Sequence, residues 1–272
     1  YYRLITPNAL KFMNAVSQTN LEFLLPYLVL ALILDFLPNT KSITNRVIEI
    51  RQNFLEFSKK HLSDKPKYLN LMIKHIFVRS PERAPIREAN SDTIIYLINC
   101  LEDQKEILNF ILKCSRSSKG SYRALAFYVF RKLINSNDIS IDDEIMSEII
   151  HNTIMSISDQ NQTVRASVIN AIAEIIPNAN QKVLSEIGVE DGSLLKALEN
   201  RIIDEKLVVR KASLNCLKAI IQRKDIKHEF KIFTMISERT RDKSATMRQE
   251  TAKTLSSCMV SYGYLPDIIV LW

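Results

Sequence analysis

Glycine is scarce in this sequence, and its scarcity excludes several kinds of nucleotide-binding protein. Only 4 of the 272 residues are glycine, whereas about 7% is usual in globular proteins. Loops that cradle a phosphate need glycines at fixed offsets, because the backbone must approach the ligand closely. The four glycines here form neither a GxGxxG nor a GxxxxGK pattern. Dinucleotide-binding and P-loop domains are therefore not expected.

Cysteine and histidine are also few, with four residues of each. Cys100, Cys114, Cys216 and Cys258 lie far apart, each inside an apolar pattern. A structural zinc site needs its ligands paired at short spacing. The sequence also lacks a Ser/His/Asp arrangement and a pair of carboxylates suited to acid–base chemistry. We therefore expect reduced packing cysteines, no metal, no cofactor, no small-molecule substrate and no catalytic activity.

Long uninterrupted apolar runs are missing as well. The most apolar stretch, residues 21–37, is interrupted by Glu22, Pro26 and Asp35, and a membrane-spanning helix needs about 20 predominantly apolar residues. We predict a buried helix there and no association with a membrane. The N-terminus lacks the layout of a secretory signal. The apolar ending, IIVLW, leads us to expect that this chain is a segment of a longer protein.

The second half of the chain contains an internal repeat. Three segments align without a gap: DQNQTVRASVINAIAEII, DEKLVVRKASLNCLKAII and DKSATMRQETAKTLSSCM. Each segment begins with Asp and carries Arg six positions later, and the pairs are Asp159 and Arg165, Asp204 and Arg210, and Asp242 and Arg248. The successive Asp residues are 45 and 38 residues apart, close to the period of about 40–47 residues found in HEAT and armadillo repeats.

Apolar residues recur within each segment at the spacing of one helix face. Ile172, Leu217 and Leu255 share one position, and Ile176 and Ile221 share another. A second amphipathic stretch precedes each Asp, so that the repeating unit is a helix, a tight turn and a second helix. No alternation typical of β-strands occurs. We predict an all-α fold, a right-handed α-solenoid of HEAT-like antiparallel helix pairs, with these five residues buried.

A degenerate copy of the repeat precedes the three clear ones. Arg123 lies 42 residues before Arg165, and Ser117 stands where the other copies have Asp. Upstream, the pattern loosens into amphipathic stretches separated by prolines. We expect one solenoid segment over residues 1–272, with loosely patterned helices over 1–115, HEAT-like repeats over 116–262 and the beginning of a further repeat over 263–272.

The recurring Asp and Arg are predicted to form a structural ladder. The Asp lies between two helices, where its carboxylate can accept backbone N–H bonds and complement the helix dipole. The Arg lies about one turn into the second helix, from which its guanidinium can reach the Asp of its own repeat or that of the next. The alternative, in which the three Arg residues bind phosphate, is left open here.

Two clusters of basic residues favour contact with a polyanion, in a chain whose formal charge is +7. The first lies in an acid-free run over 111–132 and contains Lys113, Arg116, Lys119 and Arg123. The second lies over 201–231 and contains Lys206, Lys211, Arg223, Lys224 and Lys227. We predict that these clusters bind duplex DNA non-specifically through its phosphates. The alternative for each cluster is a solvated helix face.

The repeats also resemble a known family. The segments ENRIIDEKLVVRKASLNCLKAIIQ and ISERTRDKSATMRQETAKTLSSCM, followed by PDIIVLW, resemble the HEAT-repeat D subunits of the second condensin complex. The resemblance covers about residues 120–272, although Gln249 and Thr251 depart from the family pattern. It implies a non-SMC regulatory subunit of a nuclear, chromosome-bound complex, with a kleisin subunit, SMC ATPase subunits and double-stranded DNA as partners in mitotic condensation.

A HEAT-repeat adaptor of another kind remains the alternative interpretation. Nuclear-transport receptors and phosphatase scaffolds have the same architecture. Transport receptors of this shape tend to be acidic because they bind basic signals, and the positive charge of this chain argues against that class.

Overall fold

The structure of the chain is a computed structural model that describes residues 52–262, except 54, 57, 61, 80–83, 137–138, 140 and 224–228, and only the backbone of 259–262. The chain divides into two compact units, residues 1–113 and 114–272. The buried helix expected over 21–37 and the further repeat expected over 263–272 lie outside the described residues.

The first unit contains three helices after a helical stretch that ends at Leu62. They are α1 (Pro66–Arg79), α2 (Ala84–Ile98) and α3 (Lys105–Ser115), whose last residues extend into the second unit. Pro66 suits the first position of α1, because a helix leaves that N–H without an internal partner. Phe77 of α1 and Phe110 of α3 meet edge to face, with ring centroids 5.5 Å apart. This contact between a buried ring and a partly exposed one joins α1 to α3.

The second unit is a succession of helix pairs. Its helices are α4 (Gly120–Ile134), α5 (Asp143–Met155), α6 (Gln162–Ile175), α7 (Gln181–Ile187), α8 (Ser193–Ile202), α9 (Leu207–Gln222), α10 (Glu229–Ser237) and α11 (Ala245–Tyr262). Short 3₁₀ turns, Ser156–Ser158, Ile176–Asn178 and Glu238–Arg241, follow α5, α6 and α10. The first helices of the clear repeats are α5, α8 and α10, and the second helices are α6, α9 and α11.

The repeated apolar positions form the core of the second unit. Ile172, Leu217, Leu255, Ile176 and Ile221 are each at most 1% exposed, which confirms that these positions are buried. A helix pair can bury its apolar stripe only against its neighbours, and the same columns therefore recur in each repeat.

The second helices pack side by side in one layer, in the order α4, α6, α9 and α11. A column of small buried residues, Ala171, Cys216 and Thr254, allows close approach within this layer. Thr251, which departs from the family pattern, is fully buried, and its hydroxyl donates to the Met247 carbonyl at 2.9 Å. That bond satisfies the hydroxyl inside the core, so the departure does not disturb the repeat.

Neighbouring turns also touch. The Asn161 side chain caps α6 by accepting from Thr163 N at 2.8 Å. A Cβ added to Gly120 would lie 2.6 Å from Asn161 Nδ2, so only glycine fits there without a shift of that capping side chain. The glycine at the start of α4 thus allows two successive turns to pack together.

All regular elements of the described residues are helical, and no strand occurs among them. The predicted all-α solenoid of helix pairs is confirmed. The extent predicted for it, one segment over residues 1–272, remains a prediction.

Candidate interaction surfaces

Three arginine–aspartate pairs connect successive repeats of the second unit. Each arginine donates from Nε and Nη2 to the two carboxylate oxygens of the Asp in the next turn, a bidentate geometry. The distances are 2.7 and 2.7 Å for Arg123 and Asp159, 3.0 and 3.1 Å for Arg165 and Asp204, and 2.8 and 2.9 Å for Arg210 and Asp242. The sequence left open whether each arginine reaches the Asp of its own repeat or that of the next. In the structure, the side-chain pairs join neighbouring repeats. These three pairs are called the Arg–Asp ladder below.

The same arginines also hold their own turns. Nη1 of Arg210 donates to the Asp204 and Glu205 carbonyls at 2.9 and 3.1 Å, and the other ladder arginines do the same at equivalent positions. Arg248 repeats this contact with the Asp242 and Lys243 carbonyls, at 2.8 and 3.3 Å. Arg248 therefore contacts the main chain of Asp242, whereas the carboxylate of Asp242 belongs to Arg210.

Arg123 was predicted to contact DNA, and the structure places it in the ladder instead. Its Nη1 donates to the Ser117 and Ser118 carbonyls while Nε and Nη2 bind Asp159. Four of its five N–H groups are thereby used, because a guanidinium carries five in all. The degenerate repeat thus keeps its arginine and its turn, and lacks only the carboxylate at Ser117, whose hydroxyl accepts from Lys119 N at 3.2 Å.

Burial and charge act in opposite directions on the ladder carboxylates. Burial raises the pKa of Asp204, but hydrogen bonds from Arg165 and the Lys206 amide, together with the charges of Arg165 and Arg201, outweigh it and hold that pKa below its usual value. The pKa of Asp242 is lowered in the same way, with Arg210 and the Ser244 amide overcoming burial. Both carboxylates are therefore ionised in the folded chain at neutral pH.

The first basic cluster is partly committed to internal contacts. Arg116 donates from Nε to Asn152 Oδ1 at 3.0 Å and forms an ion pair with Glu148. Lys119 is exposed and lies over the Tyr122 ring, 5.0 Å from its centroid. Lys113 is exposed at the end of α3, in the other unit.

The second basic cluster also contains both residues with internal partners and residues at the surface. Arg223 donates from Nη1 to the Ile176 and Ala179 carbonyls, at 2.9 and 2.6 Å, and so caps the end of the preceding repeat. Its predicted contact with DNA remains a prediction. Lys206 is exposed beside Glu205, and Lys211 is half-buried on α9. Lys224 and Lys227 lie outside the described residues.

A cleft of about 630 Å³ lies in the second unit between the ends of α4 and α6 and the helices α5 and α7. Its lining is mixed, with Ile134, Met146 and Ile175 among the apolar residues and several polar side chains beside them. Lys182 and Asp143 form an ion pair at 3.0 Å at its wall. No motif in the sequence predicts this cleft, because it forms only where residues 134–186 of four consecutive helices pack together.

Other kinds of site find no support in the described part of the chain. None of its helices is long and apolar enough to cross a membrane, and none of its His, Cys, Asp and Glu residues form a group of three or more suited to a metal. Burial raises the pKa of the Cys114 thiol to about 11 and that of Cys216 still further. These thiols are therefore protonated at neutral pH and poor nucleophiles.

Comparison with known proteins agrees with the repeat architecture. The family model described as "Sister chromatid cohesion protein PDS5 protein" matches residues 151–262, which is less than half of the chain. No curated protein matches the chain. A solved chain titled "Structure of the Pds5-Scc1 complex and implications for cohesin function" is similar, with a TM-score of 0.54 and 18% identity.

The similarity to that Pds5 chain covers 92% of this chain and 38% of the Pds5 chain. An engineered protein is similar with a TM-score of 0.50, 12% identity and coverage of 86% of this chain and 60% of its own. A designed armadillo repeat protein in complex with the peptide (KR)4 has a TM-score of 0.49 and 12% identity, over 86% and 99% of the two chains. The similarity to the Pds5 chain agrees with the all-α solenoid of helix pairs.

The ladder geometry predicts which pair of residues is energetically coupled. We expect Arg210→Ala and Asp242→Ala each to cost about 3–5 kcal/mol, because each leaves a buried charge unpaired. In a double-mutant cycle measured by urea unfolding, the pair should show a coupling of about 1–3 kcal/mol. Asp242→Ala with Arg248→Ala is the matched control and should be additive within about 0.5 kcal/mol, since Arg248 contacts the Asp242 and Lys243 carbonyls and not the Asp242 carboxylate. A larger coupling in the control pair would contradict the assignment.

The lowered pKa values predict how stability depends on pH. A carboxylate whose pKa is lower in the folded than in the unfolded chain stabilises the fold above its unfolded pKa, about 3.9 for Asp, and loses this effect as the pH falls through the folded pKa. The urea midpoint should therefore fall between pH 6 and pH 3, and Asp204→Asn should reduce that fall. Glu205→Gln, at an exposed neighbour, should leave the fall as in the wild type. Equal pH dependence in wild type and Asp204→Asn would count against the ladder.

Proposed function

We propose that this chain is a non-catalytic HEAT-repeat scaffold that binds a kleisin subunit in a chromosome-associated complex of the cohesin or condensin type. The match of residues 151–262 to the PDS5 family carries this proposal, since it covers the repeats joined by the ladder at Asp204 and Asp242. The similar Pds5 chain was solved with Scc1, the kleisin of its complex. The nucleus, and chromosomes within it, are the proposed location.

Within this class, we favour a condensin subunit of the D type. The support is the resemblance of residues 120–272 to that family, carried by two adjacent repeats and the final PDIIVLW. The SMC subunits would be the ATPases, and this chain would act by holding the kleisin in place. A PDS5-like cohesin regulator is the second candidate, favoured by the family match.

Co-purification with two kleisins tests both levels of the proposal. We expect the 272-residue chain, co-expressed with a condensin-type kleisin, to form an equimolar complex in size-exclusion chromatography with light scattering. Co-expression with a cohesin-type kleisin should give no complex. Lys196→Glu, a change at an exposed residue of α8, should bind like the wild type. A complex with the cohesin-type kleisin alone would reject the condensin assignment, and no complex with either would reject the scaffold role.

We further propose that the row of turns binds the DNA backbone. Lys119, Lys206 and Lys243 are exposed there, next to the N-terminal ends of α4, α9 and α11. The positive ends of these helix dipoles add to the attraction for phosphate. The lysines of the turns are therefore better candidates for contact with DNA phosphates than Arg123 and Arg223.

Salt titration tests this contact with DNA. Each cation that neutralises a phosphate releases counterions, so that Lys119→Glu with Lys206→Glu should lower the slope of log affinity against log salt by about 1.8. Binding to two unrelated duplexes should weaken equally, because phosphate contacts carry no sequence information. Lys196→Glu, away from the turns, should leave the slope unchanged. An unchanged slope in the double variant would remove the turns from the interface.

A further inference from the structure

The layer of second helices has an outward stripe that repeats from helix to helix. On α6 the residues with exposed or partly exposed side chains include Thr163, Asn170 and Ala173, and on α9 the equivalent residues are Val208, Asn215 and Lys218. Tyr128 on α4 and Lys253 on α11 continue the column of Asn170 and Asn215. The stripe thus runs across four neighbouring helices.

Positive charge on this stripe is not neutralised from within the chain. Among the described residues, Lys211, Lys218 and Lys253 form no ion pair with a carboxylate, in contrast to the arginines of the ladder. Glu174, also at the edge of the stripe, pairs with Arg131 at 3.0 Å. An uncompensated cationic surface favours an anionic partner.

The centre of the stripe carries two amide side chains at the same position of neighbouring helices. Asn170 and Asn215 make no hydrogen bond with another described residue. Each amide offers both a donor and an acceptor, the combination that matches the C=O and N–H of a peptide group. Packed helices lie about 8–10 Å apart, and about three residues of an extended chain cover that distance at about 3.1 Å per residue.

We propose that this stripe, the amide–lysine face (Asn170, Lys211, Asn215, Lys218 and Lys253), binds an acidic, extended segment of a partner protein. The two asparagines hold the peptide backbone and the three lysines contact its carboxylates. A peptide fits better than duplex DNA, because the middle of the face is neutral amide where a phosphate backbone would need cations. The inference rests on the proposed scaffold role and adds to it the chemistry and the place of one contact.

Fluorescence polarisation with a labelled peptide tests the face. The probe alternates glutamate and serine over about twelve residues, enough to cross the four helices in an extended form. We expect the 272-residue chain to bind it, and a lysine–serine peptide of equal length not to bind. Lys211→Glu with Lys218→Glu should weaken binding by about 10-fold or more at low salt. Asn170→Ala with Asn215→Ala should weaken it by about 10-fold, the effect of losing a few hydrogen bonds.

The control variant is Lys105→Glu with Lys196→Glu, which makes the same charge change at exposed residues outside the four helices. It should bind the probe within about 2-fold of the wild type. Helical content and urea midpoints of all variants check that they are folded.

Several results would overturn the proposal. They are an absence of binding up to about 1 mM peptide, an equal loss in the control variant, or no effect of the asparagine changes in folded protein. Binding of a duplex in place of the peptide, weakened by the lysine changes alone, would make the face a nucleic-acid surface. Kleisin co-purification from the same preparation tests the scaffold role separately. If the chain binds the kleisin but not the peptide, only the proposal for this face is overturned.

Discussion

The bidentate pair between an arginine and the next turn's aspartate is the interaction on which the second unit depends. In Arg210 and Asp242 the two side chains are 4% and 3% exposed, so the pair is removed from water and forms only when both repeats are in place. The same guanidinium fastens its own turn through two carbonyls. One residue type thus fixes the turn within a repeat and the alignment between repeats, while the apolar columns supply most of the burial.

The sequence was sufficient to predict the helix pairs, the buried columns and five residues of the ladder (Asp159, Arg165, Asp204, Arg210 and Asp242), because each recurs at a regular period. Arg248, predicted with them, has no carboxylate partner among the described residues and contacts the Asp242 and Lys243 carbonyls. Ile172 and Leu217 could be assigned to the core for that reason. The direction of the pairs could not be predicted, since Arg165 is six residues from one aspartate and 39 from the other, and only packing decides between them. Arg123 was misassigned because its own turn has serine where the other copies have aspartate.

The sequence was sufficient to locate the two basic clusters. It did not show which of their residues bind acceptors within the chain and which stay at the surface. Arg116, Arg123 and Arg223 all find acceptors at least 32 residues away along the chain, and no local pattern indicates such partners. The lysines of the turns and of the second helices remain at the surface. This division follows from their chemistry, because a guanidinium has a planar fork suited to carboxylates and carbonyls, whereas an ammonium is compact and strongly hydrated. Arginine therefore stabilises the stack, and lysine provides its surface charge.

Every ladder pair has the same polarity, from the arginine of one repeat to the aspartate of the following one. A repeat that carries both residues therefore presents a carboxylate acceptor at one boundary and an arginine donor at the other. If residues 204–241 were lost, Asp242 would follow Ile203 directly and could take the place of Asp204 opposite Arg165. Solenoids built in this way can gain or lose whole units by recombination without leaving an unmatched charge at the junction. The number of repeats can thus change while the same Arg–Asp pair joins each repeat to the next.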